Sequence, residues 1–448
     1  MLNSVYKKAT LRLIPLLVVI YLFAYIDRSV VGFAKLQMGA DVGISAGVYG
    51  LGAGLFFVAY TLFEVPSNLI LLKAGPKIWF ARIMITWGVI TMLMAMTSGP
   101  ISFYILRFLL GAAEAGFYPG ILFLITQWFP ATKRARIVGL FLLANPIALA
   151  VGGPLSGGLL GLDGVAGLAG WQWLFIVVGA PPVLLAFAVL KWLPNKPSEA
   201  KWLTQQEKNL IAEDLRREDI AVGATTVAHP LHALKNPKVL ILAAFFLTYP
   251  LTGYGLSLWL PTIIKNFGVS DVTTGWLSTL PWIAATIALL VIPRRAERRN
   301  SPFAHIAWTL GLAAAALGGS ALLQQPWMQL VALCVAAFAI FAGQPIFWSL
   351  PSRVLTGGGA AAGLAFINSV GSIGGFVGPY GVGAVTDATG STQSGLFFLA
   401  IFAVYGMLML IPVRRMILAQ AKGPAATDPS AVRKEMATRT PKDSPSAP

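Results

Sequence analysis

Charge is what this sequence has least of. Asp, Glu, Lys and Arg together make up 11% of its 448 residues, against roughly 25% in a soluble domain. The remaining side chains are too apolar to coat a surface that faces water, which excludes a soluble enzyme or binding module. Cysteine is nearly absent: Cys334 stands alone in an apolar run, so no internal disulfide can form, and no metal-ligand spacing surrounds it. No His/Asp/Glu metal cluster, Ser/His pair or Gly-x-Ser-x-Gly elbow is present, which argues against a membrane-embedded enzyme. Redox and metal cofactors are not expected. The chain also contains no Asn-x-Ser/Thr sequon, which favours a bacterial cytoplasmic membrane over a glycosylated eukaryotic surface.

What is plentiful is apolar length. Hydrophobic residues make up 56% of the chain and the mean hydropathy is +0.74. A spanning helix takes about 20 such residues, so twelve spans and their loops fit the length. Apolar runs and their breakers predict spans near 13–35, 47–72, 78–97, 101–128, 137–160 and 171–193, then 238–264, 272–293, 302–323, 327–350, 360–386 and 393–413. The expected fold is an all-α membrane protein with twelve transmembrane helices in two pseudo-symmetric six-helix bundles. Its expected parts are an N-terminal tail (1–12), a first bundle (13–193), a linker (194–237), a second bundle (238–418) and a disordered tail (419–448). The first helix lacks a cleavage pattern and reads as a retained span.

The net charge of +16 follows membrane topology and does not point to nucleic acid. With a cytoplasmic start, 29 of the 33 cations fall on the inner side, among them Lys7, Lys73, Arg136, Arg294 to Arg299 and Arg353. The positive-inside rule then places both termini in the cytoplasm.

The halves share traces of one pattern. Asn145 precedes Gly152 and Gly153, and Asn368 precedes Gly374 and Gly375, each on the fifth helix of its half. Trp128 to Pro130 and Trp348 to Pro351 end the preceding helices at a similar offset. Such duplication suggests alternating access by rocking halves, with the ligand held at mid-membrane between them. The glycines of 371–383 read first as close helix packing.

An ionisable side chain inside a span is costly unless it is paired or faces water, so it is a functional candidate by default. The spans hold Asp27, Arg28, Glu64, Arg107 and Glu114. Tyr21, Tyr25, Arg28 and Gly32 share a helical stripe that brings Arg28 near the bilayer centre, where a guanidinium can grip a carboxylate by two parallel hydrogen bonds. Asp27 points about 100° away, so the two are not expected to face one partner. Arg107 and Glu114 share a face two turns apart, and each is expected to reach another helix, with Asp27–Arg107 the first pair to test. Asp27 and Glu114 are the proton-site candidates, and a static ion-pair network is the alternative. Glu64 lies on a stripe with Tyr60 and Asn68 that serves packing or gating.

The second half offers neutral groups. Tyr254, Trp259, Gln344, Trp348, Asn368 and Ser369 can hydrogen-bond hydroxyls or a second carboxylate, or simply pack. His305, near a cytoplasmic end, reads as a satisfied or hydrated histidine. One cationic anchor among many neutral donors implies a small organic anion and not a phosphate ester. The expected partners are that acid, protons and the lipid bilayer, with the monomer as the working unit. An exporter of the same fold and a transporter-like sensor are the rival readings.

Several motifs in order carry a resemblance. Tyr25-Ile-Asp-Arg28 with Val31-Gly-Phe-Ala-Lys35, Phe63-Glu-Val-Pro-Ser-Asn68, Arg107-Phe-Leu-Leu-Gly111 with Glu114-Ala-Gly, Tyr254-Gly-Leu-Ser-Leu-Trp-Leu-Pro261, and Ala361 to Ser369 with Gly374 to Pro379 resemble the major facilitator superfamily. Within it they resemble the anion:cation symporter branch and its tartrate and phthalate transporter-like group. The resemblance covers all twelve spans. It implies proton-driven import of organic acids, with Asp27 and Glu114 as proton sites, Arg28 as the anchor, and Tyr25, Tyr60, Asn145 and Asn368 lining the cavity. The chain departs from the superfamily in two loops. Leu72-Lys-Ala-Gly-Pro-Lys77 and Pro293-Arg-Arg-Ala-Glu-Arg-Arg299 both lack the usual aspartate, so the charge-relay lock built on that acid does not carry over.

Overall fold

Apolar runs broken by Gly and Pro can satisfy their backbone inside a bilayer only as helices or as a closed barrel. In the computed structural model of the protein, which describes residues 2–142, 144–222, 236–351, 354 and 359–421, the chain is helical and no strand occurs among the described residues. The helices are α1 (Leu2–Asp41), α2 (Ala46–Ala74), α3 (Pro76–Leu93), α4 (Pro100–Glu114), α5 (Phe117–Trp128), α6 (Ala131–Leu142), α7 (Ala144–Leu160), α8 (Gly170–Trp192) and α9 (Gln205–Val222). They continue as α10 (Pro237–Phe246), α11 (Thr248–Lys265), α12 (Asp271–Arg298), α13 (Pro302–Leu322), α14 (Pro326–Phe347), α15 (Gly359–Thr389) and α16 (Thr392–Ala421).

Eleven stretches among the described residues are long and apolar enough to cross a membrane, with α4–α5, α6–α7 and α10–α11 each forming one crossing. The glycine-rich α15, 31 residues long, packs between α2 and α11 and, lying eleventh in chain order, brings these stretches to twelve. The outer surface is apolar in helical stripes: Leu62, Val65, Leu69 and Leu72 on α2, and Ile101, Ile105 and Leu109 on α4, are all exposed. Apolar surface of that extent faces lipid in a membrane protein.

Three expectations need correction. Residues 2–12 are not a tail, because α1 runs unbroken from Leu2. Its first turns are held by α9, which lies within the stretch expected as a linker: Tyr6 Oη donates to Asp214 Oδ2 at 2.7 Å and Lys8 Nζ meets Glu207 Oε2 at 2.8 Å. The expected span 101–128 is broken at Ala115–Gly116, where Gly116 takes φ 84°. There the Ser67 hydroxyl donates to the freed Ala115 carbonyl at 2.6 Å, and a Cβ on Gly116 would lie 2.5 Å from Ser67 Oγ. The last span, expected at 393–413, extends to Ala421. Residues 223–235, the tail from 422, Arg353 and the side chain of Arg136 lie outside the description.

The halves meet where backbones touch. A Cβ on Gly153 would lie 2.5 Å from Gly275 O, and one on Gly383 would lie 2.5 Å from Ala46 O. The α7–α12 and α2–α15 crossings therefore have no room for side chains, the small-residue packing that lets membrane helices approach closely. Hydrogen bonds that join the halves include Gln37 to Asp271, Ser45 and Gly47 to Asp387, Tyr49 to the Leu258 carbonyl, and Thr279 to the Ala150 carbonyl. All of these lie toward the end of the bundle opposite the chain termini.

Candidate transport cavity

Between the halves lies a cavity of about 340 Å³, within the range of small-molecule sites. From the first half its walls include Tyr25, Arg28, Phe56, Tyr60, Glu64, Arg107 and Asn145, and from the second Tyr249, Tyr254, Gln344, Trp348 and Asn368. The sequence-derived residues Trp259, Ser369, Asp27 and Glu114 are not on this wall. Trp259 is buried behind it, where its indole N–H donates to the Pro379 carbonyl at 3.1 Å and its ring receives Lys35 Nζ at 3.9 Å. Ser369 sits beside lining residues Asn368 and Gly371 but is not on the wall itself.

The helix break in the fourth span creates the electrostatic centre. It places Glu114 at the last helical position of α4, buried at 1% exposure. Arg28 gives both Nε and Nη2 to a single oxygen, Glu114 Oε2, each at 2.8 Å. The Asp27 carboxyl lies against the same glutamate, and its Oδ1 accepts from Thr91 Oγ1 of α3 at 2.7 Å. Asp27 Oδ2 and Glu114 Oε1 have no hydrogen-bond donor. Asp27 and Arg28 therefore do share a partner, contrary to the expectation drawn from their 100° separation. The break carries the glutamate to a point that both side chains of α1 can reach.

The expected Asp27–Arg107 ion pair does not form. Arg107, 2% exposed, lies over the Phe56 ring at 4.9 Å and has one long bond, Nε to Gly52 O at 3.4 Å. That side chain follows the face of α4 that packs on α2, so it reaches α2 and not α1.

Phe56 is a residue that reasoning from sequence missed. Its ring lies 5.3 Å from the Arg28 guanidinium as well as 4.9 Å from that of Arg107, so one ring serves two like charges. The signal was available, because Phe56 stands four residues before Tyr60 on the stripe that continues to Glu64 and Asn68. Thr91 and Ser67 were also missed, being neutral residues in apolar runs with no distinguishing spacing. Glu64 lines the cavity, while Asn68 Nδ2 donates to its backbone carbonyl at 2.7 Å. His305 is held by its own turn, with Nδ1 bonded to the Ser301 carbonyl at 2.8 Å.

Aromatic rings are the commonest side chains on the wall, and most of them are tyrosines that also bring a hydroxyl. Tyr25 and Tyr60 join Phe56 around Arg28 at 5.4 and 5.0 Å, and Tyr249, Tyr254, Phe341 and Trp348 face them from the second half. Two neutral groups at the wall, Asn145 Oδ1 and Tyr249 Oη, have no hydrogen-bond partner. Among the described residues no group of His, Cys, Asp and Glu could hold a metal ion.

Helices paired across two halves around a central cavity lined by Arg28 and Arg107 fit a membrane transporter. The sequence matches the Major Facilitator Superfamily over residues 17–379, and the chain belongs to that family. It is 53% identical to a quinolone resistance transporter of Acinetobacter baumannii, over 91% of this chain and 94% of that one. It is 43% identical to a putative tartrate transporter of Agrobacterium vitis, over 93% and 92% of the two chains. In fold it resembles a bacterial homologue of the human lysosomal transporter Spinster, solved inward-facing and unoccupied, with a TM-score of 0.76, 17% identity and coverage of 94% and 99%. The protein is thus a secondary-active transporter of small organic solutes, an integral membrane protein and not a catalyst.

Proposed function

We infer that the protein couples protons to the transport of a small aromatic carboxylate, bound at Arg28 in an alternating-access cycle. The observation that carries this reading is the Arg28–Glu114 contact beside Asp27. Arg28 gives both Nε and Nη2 to one glutamate oxygen, so a substrate carboxylate and Glu114 compete for the same guanidinium. A proton on Glu114 removes that competition and relieves the like-charge contact with Asp27. Proton and substrate then favour the same state, which is all that coupling requires.

The lining supports the aromatic class. Tartrate has no ring to stack, whereas the rings of Tyr25, Phe56, Tyr60, Tyr254 and Trp348 offer stacking surface beside the guanidinium of Arg28. The closed end opposite the termini, taken with the cation distribution along the chain, supports a state open to the cytoplasm in a bacterial inner membrane. In this reading residues 13–193 and 238–418 rock as units, and Asn145, Gln344 and Asn368 orient the ligand.

Export is the second reading, favoured by the relative named for quinolone resistance. A quinolone is a fused aromatic carboxylic acid, so the same site serves either direction. Purified protein in proteoliposomes, loaded at pH 7.5 and diluted to pH 5.5 outside, should accumulate a labelled aromatic acid. Glu114→Gln should exchange that acid with a rate independent of pH. Accumulation only against the opposite gradient would establish export, and an unchanged pH dependence in Glu114→Gln would remove the glutamate from coupling.

A further inference from the structure

We propose that the groove between α12 and α13, at the end of the bundle that carries both termini, binds the headgroup of an acidic phospholipid of the phosphatidylglycerol type. The groove encloses about 430 Å³ and lies apart from the transport cavity. One wall is Ile292, Arg295 and Arg299, three and four residues apart on α12. The other is Ser301, His305 and Trp308, four and three apart along the turn and α13. That spacing puts each set on one helix face, so the two faces close on a common volume.

Two features call for an anion. Arg295 and Arg299 are exposed and form no ion pair with any described residue, and Glu297 lies about 200° round the helix from each. The first turn of α13 also opens on the groove with Pro302 at its start and no side-chain cap, so its free N–H groups add to the positive potential.

A third feature points to a hydroxyl. His305 is 7% exposed and uses Nδ1 on the Ser301 carbonyl. A carbonyl can only accept, so Nδ1 carries the proton and Nε2 presents a lone pair with no protein donor among the described residues. A glycerol headgroup supplies both parts, a phosphate for the arginines and a hydroxyl for Nε2.

The surroundings favour a lipid over a soluble phosphate. Below the arginines α12 continues as an exposed apolar stripe, Ile283, Ile287 and Val291, and Trp308 on α13 is 40% exposed beside it. An acyl chain can run along that stripe, with the tryptophan at headgroup level. Basic pockets at this membrane depth are a known form of acidic-lipid recognition.

The test uses the full chain, reconstituted in phosphatidylcholine nanodiscs with and without about one fifth phosphatidylglycerol, released into the gas phase and weighed with its retained lipids. Wild type should keep phosphatidylglycerol in preference to phosphatidylcholine. Arg295→Gln/Arg299→Gln should keep about tenfold less while melting normally in phosphatidylcholine alone. Equal retention by the two proteins would overturn the proposal. Displacement of the lipid by millimolar soluble glycerol phosphate would overturn the lipid assignment in favour of a soluble phosphate. If the double variant does not fold, a photoreactive phosphatidylglycerol on wild type decides: crosslinks within 292–308 support the site, and crosslinks elsewhere exclude it.

Discussion

The two halves of the bundle contribute different chemistry to one cavity. The first half supplies all its charge, with Arg28, Glu64 and Arg107 on the wall and Asp27 and Glu114 just behind it. The second supplies rings and amides, with Tyr249, Tyr254, Gln344, Trp348 and Asn368. An internal duplication that keeps backbone architecture in both halves has therefore let their side chains diverge. Under the proposed cycle, concentrating charge in one half would have a physical advantage: the arginine and the carboxylates beside it would move as a unit, so that their contact survived rocking and only the ligand and protons altered it. The neutral half can then close on the ligand without carrying a charge through the low-dielectric interface.

The hardest test of this division is Arg28→Ala. It should abolish carboxylate binding, a loss of more than 100-fold by calorimetry, and should lower thermal stability because Glu114 is left as an unpaired buried charge, a change that costs about 3–5 kcal/mol. Adding Glu114→Gln should restore the melting temperature without restoring binding. Full affinity in Arg28→Ala would mean that the anchor lies elsewhere.

Next in size is Trp348→Ala in the neutral half. Loss of one ring from the wall should weaken an aromatic acid about tenfold, the range of a stacking contact with its buried area, and leave tartrate affinity nearly unchanged. Equal losses for both acids would show that the second half provides general packing and not selection. Glu114→Gln read through the same two ligands should instead remove the pH dependence of both, which separates the roles of the halves in one set of measurements.

A smaller effect is expected from the closed end. Asp387 of α15 accepts from the Ser45 hydroxyl at 2.8 Å and from the Gly47 amide at 2.7 Å, so it caps the first turn of α2 from the other half. Asp387→Asn should weaken that clasp and increase alkylation of a cysteine placed at Ser257, deep in the cavity, by a reagent confined to the side opposite the termini. Unchanged labelling would show that the glycine crossings alone hold this end shut.

How much of this was legible beforehand varies with the kind of interaction. Span positions follow from apolar length, so they could be read directly. The location of Arg28 on the cavity wall followed from its stripe with Tyr21 and Tyr25. The partner of Glu114 did not, because it depends on the break at Ala115–Gly116. Glycine is common in membrane helices, and nothing local distinguishes Gly116 from Gly111; what selects the break is Ser67, forty-nine residues earlier in sequence, supplying the hydroxyl that the freed Ala115 carbonyl needs. In the same way Asp27 is held by Thr91 of α3, a pairing between a charge and an inconspicuous neutral residue. Which residues are charged inside a span can be read from sequence, whereas their partners, Glu114 for Arg28 and Thr91 for Asp27, emerge only from the packed helices.

The smallest predicted effect lies outside the membrane, where α9 meets α1. The Lys8 ammonium, followed by the Thr204 amide, holds the Glu207 carboxyl below its ordinary range. A carboxylate whose folded value is depressed contributes stability above its unfolded value, near 4.3, and loses that contribution as pH falls through the folded value. Lys8→Gln should therefore melt slightly below wild type at pH 7, and the two curves should converge as the pH is taken below about 4. Because the pair lies at the surface with Glu207 only half-buried and salt screens such pairs, the difference at pH 7 should also shrink in 0.5 M salt. A difference that persisted at low pH and high salt would show that Lys8 acts through the packing of its alkyl chain on α9 and not through its charge. In that case the contrast between a charged first half and a neutral second half would stop at the cavity and not extend to the docking of α9.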